Sequence, residues 1–151
     1  MKILEYDERA GSQLSVASIA KILGYYLREM RGSELSVGTM IAGFDQQEGQ
    51  PALFYVDSEG CCVAGDVFCV GSGGNLAYSI LDDSIKNLKD MTIDEAVEVA
   101  TWALRHATFR DSYSGGYVNV IHINSTGCHH LKRIDVRSNQ LRVANENQQG
   151  T

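Results

Sequence analysis

One proline in 151 residues, four cysteines, and 13 Lys plus Arg against 19 Asp plus Glu are the first shortages to weigh. The formal charge of −6 excludes a phosphate-backbone partner as an expectation, because such affinity rests on cationic neutralisation. Apolar runs are short as well, and none approaches the roughly 18 residues of a helical bilayer span. The opening stretch from Met1 to Glu8 lacks the apolar core of a signal peptide, so an intracellular setting without a membrane partner is expected. Cys61, Cys62, Cys69 and Cys128 show no C-x-x-C spacing, which favours reduced thiols over a disulfide scaffold. His122, Cys128, His129 and His130 are zinc-ligating types, but consecutive ligands start a tetrahedron poorly. A hairpin with polar outward residues is the preferred reading there, and no metal or cofactor is expected. What is present, 44% hydrophobic and 21% charged residues, describes a globular chain. At this length one core suffices, so 1–151 reads as a single domain with a frayed tail at 144–151.

Hydropathy patterning gives the elements. Val16, Ile19, Ala20, Leu23, Leu27 and Met30 recur at three and four, predicting an amphipathic helix capped by Ser12 or Ser15 and ended by Gly32. Three strands follow, around Thr39–Ile41, Leu53–Val56 and Val67–Val70, with one loop at 45–51 and a tight turn at Asp57–Gly60. Leu76, Ala77, Ile80 and Leu81 suit a short helix closed by Asp82, Asp83 and Ser84. Thr92 and Glu95 have capping-box spacing and open a longer helix whose apolar face reads Ile93, Val97, Ala100, Leu104, Ala107. Tyr117–Ile123 and His130–Val136 form a last hairpin around Asn124–Gly127. The result is a layered α+β arrangement whose five short strands fall into two partial sheets. Each would leave an unpaired edge and an uncovered face.

Two segments could carry chemistry. Gly71-Ser72-Gly73-Gly74 leaves a strand and enters a helix, where amides and a hydroxyl could face an oxyanion or a phosphate. It lacks both the G-x-G-x-x-G spacing and the P-loop lysine, so a plain tight turn stands against nucleotide binding. In Arg110-Asp111-Ser112-Tyr113-Ser114-Gly115-Gly116, Asp111 and Ser114 could pair by hydrogen bonding. A carboxylate beside a hydroxyl can orient a proton for a nearby nucleophile, or it can merely stop a helix. Spacing alone favours the second reading. No G-x-S-x-G elbow exists, and His106, His122, His129 and His130 are not placed to serve either serine.

Together, Gly38–Asp45, Tyr55–Gly60, Phe68–Gly73 and Arg110–Gly116 resemble the later two-thirds of a proteasome core-particle beta subunit, nearest the chymotrypsin-like beta type-5, over about Ser15 to Val136. The resemblance implies an N-terminal nucleophile hydrolase fold, a four-layer αββα sandwich, assembled with other alpha and beta subunits into heptameric rings. It implies threonine-type endopeptidase chemistry on unfolded protein substrates, in cytoplasm and nucleus. There the hydroxyl of a mature N-terminal threonine attacks the peptide carbonyl while its own α-amine acts as base, aided by a lysine, an aspartate and an oxyanion glycine. None of those early residues has a counterpart in this sequence, which on the family pattern lacks the first strands and helix. The chain alone is therefore expected to be inactive. By motif match, Ser72 would sit beside the threonine amine, Asp111 and Ser114 would orient that amine and its water, and Arg110 and Gly115 would shape the loop. The stretch from Ser84 to Met91 is slightly longer than in typical relatives. Two alternatives stand beside this reading: a non-catalytic assembly subunit of the same particle, and a free-standing domain with coincidental motifs.

Overall fold

A computed structural model describes residues 14–84 and 90–136. The alternative cap Ser12, the 144–151 tail and most of the 84–91 connection lie outside the described residues. The described residues divide into two compact units, one made of 14–68 with the hairpin tip at 123–128, the other of those from 69 on that lie outside that tip.

In the first unit, helix α1 spans Val16–Glu29, and its cap is Ser15, whose side chain accepts the Ser18 amide at 3.2 Å. Val16, Ala20, Gly24 and Leu27 form the buried face. The helix stops at its C-cap Met30, two residues before the expected Gly32. Gly32, at φ 85°, serves instead the turn in which the Ser33 amide and hydroxyl both reach the Met30 carbonyl, at 3.2 and 2.7 Å.

Strands β1 (Gly38–Asp45), β2 (Gln50–Asp57) and β3 (Cys62–Ala64) form an antiparallel sheet in that order. The β1–β2 loop is shorter than the sequence suggested, because Asp45 pairs with Gln50 and Phe44 with Pro51. Asp45 tightens it: its Oδ1 accepts the amides of Gln47 and Glu48 at 3.1 and 3.4 Å, and its carbonyl accepts Gly49 at 2.8 Å. The third strand is a correction. Val67–Val70 carry no strand; the strand lies earlier, at 62–64. The turn at 57–60 is the reason, since Asp57 bonds the Cys61 carbonyl at 3.1 Å and so sets Cys62 opposite Val56 at once. The chain then bends at Asp66, before the β-branched run begins.

The first core joins Ala20 and Leu27 of α1 to Val56 of β2, with Leu23, Ile41, Phe54 and Cys62 packed around it. Helix and sheet approach so closely that glycine is required at two points. A Cβ on Gly43 would lie 2.6 Å from Val16 Cγ2, and one on Gly60 would run into the Gly24 carbonyl oxygen. On the other sheet face Met40 pairs with Tyr55 and Tyr55 with Val63, and Met40 and Val63 are both 48% exposed.

In the second unit, helix α2 spans Gly74–Ser84, so Asp82, Asp83 and Ser84 continue the helix they were expected to close. Helix α3 spans Ile93–Arg110 and opens on the expected capping box: the Thr92 amide reaches Glu95 Oε2 at 2.7 Å, and the Glu95 amide reaches Thr92 Oγ1 at 3.3 Å. Its buried residues are Val97, Thr101, Ala103 and Ala107, whereas Ile93, Ala100 and Leu104, read as apolar-face residues, are exposed. The face is turned by small residues: Ala77 of α2 meets Ala103 and Ala107 of α3, with Cys69, Leu76, Ile80 and Leu81 around them. Strands β4 (Tyr117–Asn124) and β5 (Gly127–Asp135) make a separate two-stranded sheet. Its turn is only Ser125–Thr126, and β5 begins three residues before the expected His130. The α+β class stands, and the described strands fall into two sheets as expected, one of three strands and one of two.

Candidate functional site

The site forms where the turn into α2 meets the end of α3, within the second unit. Gly71, at φ 111°, bends the chain, and the Gly74 amide closes the turn on the Gly71 carbonyl at 3.0 Å. That geometry leaves the Ser72 side chain exposed while Gly73 and Gly74 are buried. At the other side, Asp111 is the C-cap of α3, still tied to the helix by its amide on the Ala107 carbonyl at 2.8 Å. The Ser114 amide then closes a turn by donating to the Asp111 carbonyl at 3.2 Å, which folds Ser114 back over the helix end.

Three of the sequence-predicted residues are thereby brought onto one atom. Ser72 Oγ and Ser114 Oγ each donate to Asp111 Oδ2 at 2.6 Å. The other oxygen, Oδ1, accepts the Tyr113 amide at 3.3 Å. Tyr113 itself is 90% exposed, and Arg110 and Gly115 are exposed too, so these neighbours leave the cluster open.

A carboxylate at a helix C-terminus sits at the negative end of the macrodipole, where a cation is the favoured occupant. Arg110, in the last turn of α3, is such a cation; Asp111 is not. Its charge is nevertheless favoured, because the hydroxyl of Ser114 first, then that of Ser72, and the Tyr113 amide hold its pKa below the usual aspartate value against a smaller opposing effect of desolvation.

The donor count decides what this arrangement can bind. An ionised carboxylate only accepts, and each serine owns a single hydroxyl proton, which is committed to Oδ2. Only acceptor lone pairs then remain on Ser72 Oγ, Ser114 Oγ and Asp111. Such a surface repels phosphate and carboxylate and suits a protonated amine with several N–H donors. This weighs against the nucleotide reading of the glycine-rich turn. Sequence reasoning found Ser72, Asp111 and Ser114 but missed what lies between them: Gly73, whose bare Cα faces all of this, was legible only as one glycine in a run of them.

Elsewhere, His122 and His129 lie with ring centroids 6.5 Å apart in the β4–β5 hairpin. Among the described residues, no group of three or more His, Cys, Asp or Glu side chains is placed to hold a metal ion.

Comparison with known proteins supplies the context for this geometry. A family model described as "Proteasome subunit" matches residues 1–123. Proteasome subunit beta type-5-A of Arabidopsis thaliana is 47% identical over 124 residues, covering 82% of this chain and 44% of the relative. Proteasome subunit beta type-5 of Spinacia oleracea is 50% identical over 115 residues, 76% of this chain and 41% of the relative. Its counterpart in Gallus gallus is 42% identical over 131 residues, 87% of this chain and 50% of the relative. The chain thus spans half or less of the length of these relatives. With a family model matching most of the chain and relatives 42–50% identical over three quarters of it or more, the chain belongs to the proteasome subunit family, as a beta subunit of the type-5 kind.

Proposed function

We propose that these residues form part of a beta type-5-like subunit of the proteasome core particle, with Ser72, Asp111 and Ser114 as the shell that holds the amine of an N-terminal threonine nucleophile. The observation that carries this is the convergence of two hydroxyls on Asp111 Oδ2, which leaves an anionic surface of acceptors suited to an ammonium or amine. In the proposed reaction the threonine hydroxyl attacks the substrate carbonyl and its proton passes to the α-amine, whose ordinary pKa of about 8 lets it act as base near neutrality. Asp111 stays ionised throughout, and its depressed pKa keeps it so at working pH. Its part is to fix the direction of the amine lone pair and to stabilise the ammonium once formed.

The same reading supplies the remaining expectations. The two partial sheets would belong to a four-layer αββα sandwich, and the partners would be neighbouring alpha and beta subunits in heptameric rings. Substrates would be unfolded polypeptides cleaved after bulky apolar residues, in cytoplasm and nucleus. A second reading, a non-catalytic subunit of the same particle, is supported by one observation: the Ser72–Asp111 bond at 2.6 Å ties the turn before α2 to the end of α3 and so has a structural part of its own.

The deciding experiment takes the native protein from the high-mass protease fraction, reads its N-terminal sequence and intact mass, and assays a fluorogenic peptide with a bulky apolar P1 residue. A chain opening on an upstream threonine, with turnover lost on Asp111→Asn, is the expected result. A chain opening at Met1 within the particle selects the non-catalytic reading. Absence from that fraction overturns both.

A further inference from the structure

Glycines in turns are usually explained by backbone conformation, and Gly71 and Gly116 fit that explanation with φ of 111° and 87°. Gly73 does not. It is absent from the residues with positive φ, so its backbone could carry any side chain, yet it is buried and hemmed in. A Cβ built there would lie 3.0 Å from Ser114 Oγ, 3.2 Å from Asp111 Oδ2 and 3.2 Å from Ala107 Cβ. These are the acceptor oxygen shared by both serines, one of the two hydroxyls on it, and the helix α3 residue whose carbonyl anchors the Asp111 amide.

We propose that Gly73 is a positioning residue: the space left by its missing side chain sets the distance at which Ser114 and Asp111 close on each other beneath Ser72. The two oxygens are ends of short side chains and would be the first to yield to a methyl group, since the third neighbour, Ala107, is fixed in the Ala77–Ala103–Ala107 core. A methyl at position 73 therefore opens the Ser114–Asp111 hydrogen bond before it moves the helices. By contrast, a Cβ on Gly115, in the same loop and also without positive φ, would meet nothing within 4 Å. The inference rests on the amine-holding role of the cluster for its meaning, but its test reads the geometry without any turnover.

The test follows the Asp111 carboxyl carbon by NMR across acidic pH in the 151-residue chain. Gly73→Ala is expected to raise the Asp111 titration midpoint toward the ordinary value of about 3.9, while Gly115→Ala leaves it in place. In the pair Gly73→Ala with Ser114→Ala, the midpoint should fall where Ser114→Ala alone puts it, because both changes act on one bond. A wild-type midpoint in Gly73→Ala, or shifts that add in the pair, overturns the proposal. Should Gly73→Ala fail to fold, the pair decides: with the nearest oxygen removed it should fold and titrate as Ser114→Ala does. Failure of the pair under conditions where Ser114→Ala folds overturns the proposal as well. A loss of this kind would leave the amine-holding reading to stand or fall on the turnover of Asp111→Asn.

Discussion

Ser72 and Asp111 are 39 positions apart in the chain, and their side chains meet at 2.6 Å. The bond ties the turn before α2 to the last residue of α3, so the same contact that gathers the candidate site also staples two helices at one end. Changes to the site and changes to the packing beneath it are therefore coupled, and four expectations separate them.

The first concerns acid. Because the folded state holds the Asp111 pKa below its unfolded value, the stabilisation is fully present above the ordinary carboxylate range and is lost as pH falls through the depressed folded pKa. Asp111→Asn should lower the urea midpoint at neutral pH. The gap between variant and parent should close as pH falls through the depressed folded pKa of Asp111. A gap that stays constant with pH would show that the charge is not what stabilises.

The Thr92 capping box gives a change far from the site. Thr92→Ala removes the oxygen that accepts the Glu95 amide and should cost about 1 kcal/mol in urea unfolding. Glu95, whose pKa is lowered by its bonds with Thr92, should titrate closer to the ordinary value in that variant.

Helix α1 and the 57–60 turn offer a paired comparison. Gly60 combines φ 75° with a collision between any Cβ and the Gly24 carbonyl, whereas Gly49 has φ 66° and open space. Gly49→Ala should cost about 1 kcal/mol, the backbone strain alone. Gly60→Ala should cost at least about 2 kcal/mol more, read from thermal or urea melts. Equal costs would mean that α1 does not press on the turn as described.

Overpacking tests the second core. Ala103 is 2% exposed against Ala77 and Ala107, and Ala103→Leu should destabilise by about 1–3 kcal/mol. Leu104→Ala, one residue on but 46% exposed, should change stability by less than about 1 kcal/mol.

That last contrast shows where the sequence was legible. Leucine outranks alanine in hydrophobicity, so periodicity placed Leu104 inside. What faces α2 instead is the set of alanines that lets two helices close to short range, a fact about the partner helix that no single-helix pattern contains. Elements with chemical end markers were readable: the Ser15 cap, the Thr92–Glu95 box and the 57–60 turn all lie where side-chain hydrogen bonding requires them. The third strand was misplaced because its residues, Cys62–Ala64, are poorer strand formers than Val67–Val70 and owe their pairing to the turn beside them. At the site, Ser72, Asp111 and Ser114 stood out through a motif resemblance, whereas Gly73 needed coordinates, since a required void leaves no mark in composition.

The unequal loading of the Asp111 oxygens gives the carboxylate a front and a back. Two short bonds from hydroxyls draw electron density toward Oδ2, while a single longer one reaches Oδ1. The two C–O bonds are then no longer equivalent, and the separation between the symmetric and antisymmetric carboxylate stretches in an isotope-edited infrared spectrum should widen accordingly. Negative charge gathers on Oδ2 while Oδ1 takes on carbonyl character, so an incoming cation meets an anion with two unlike sides.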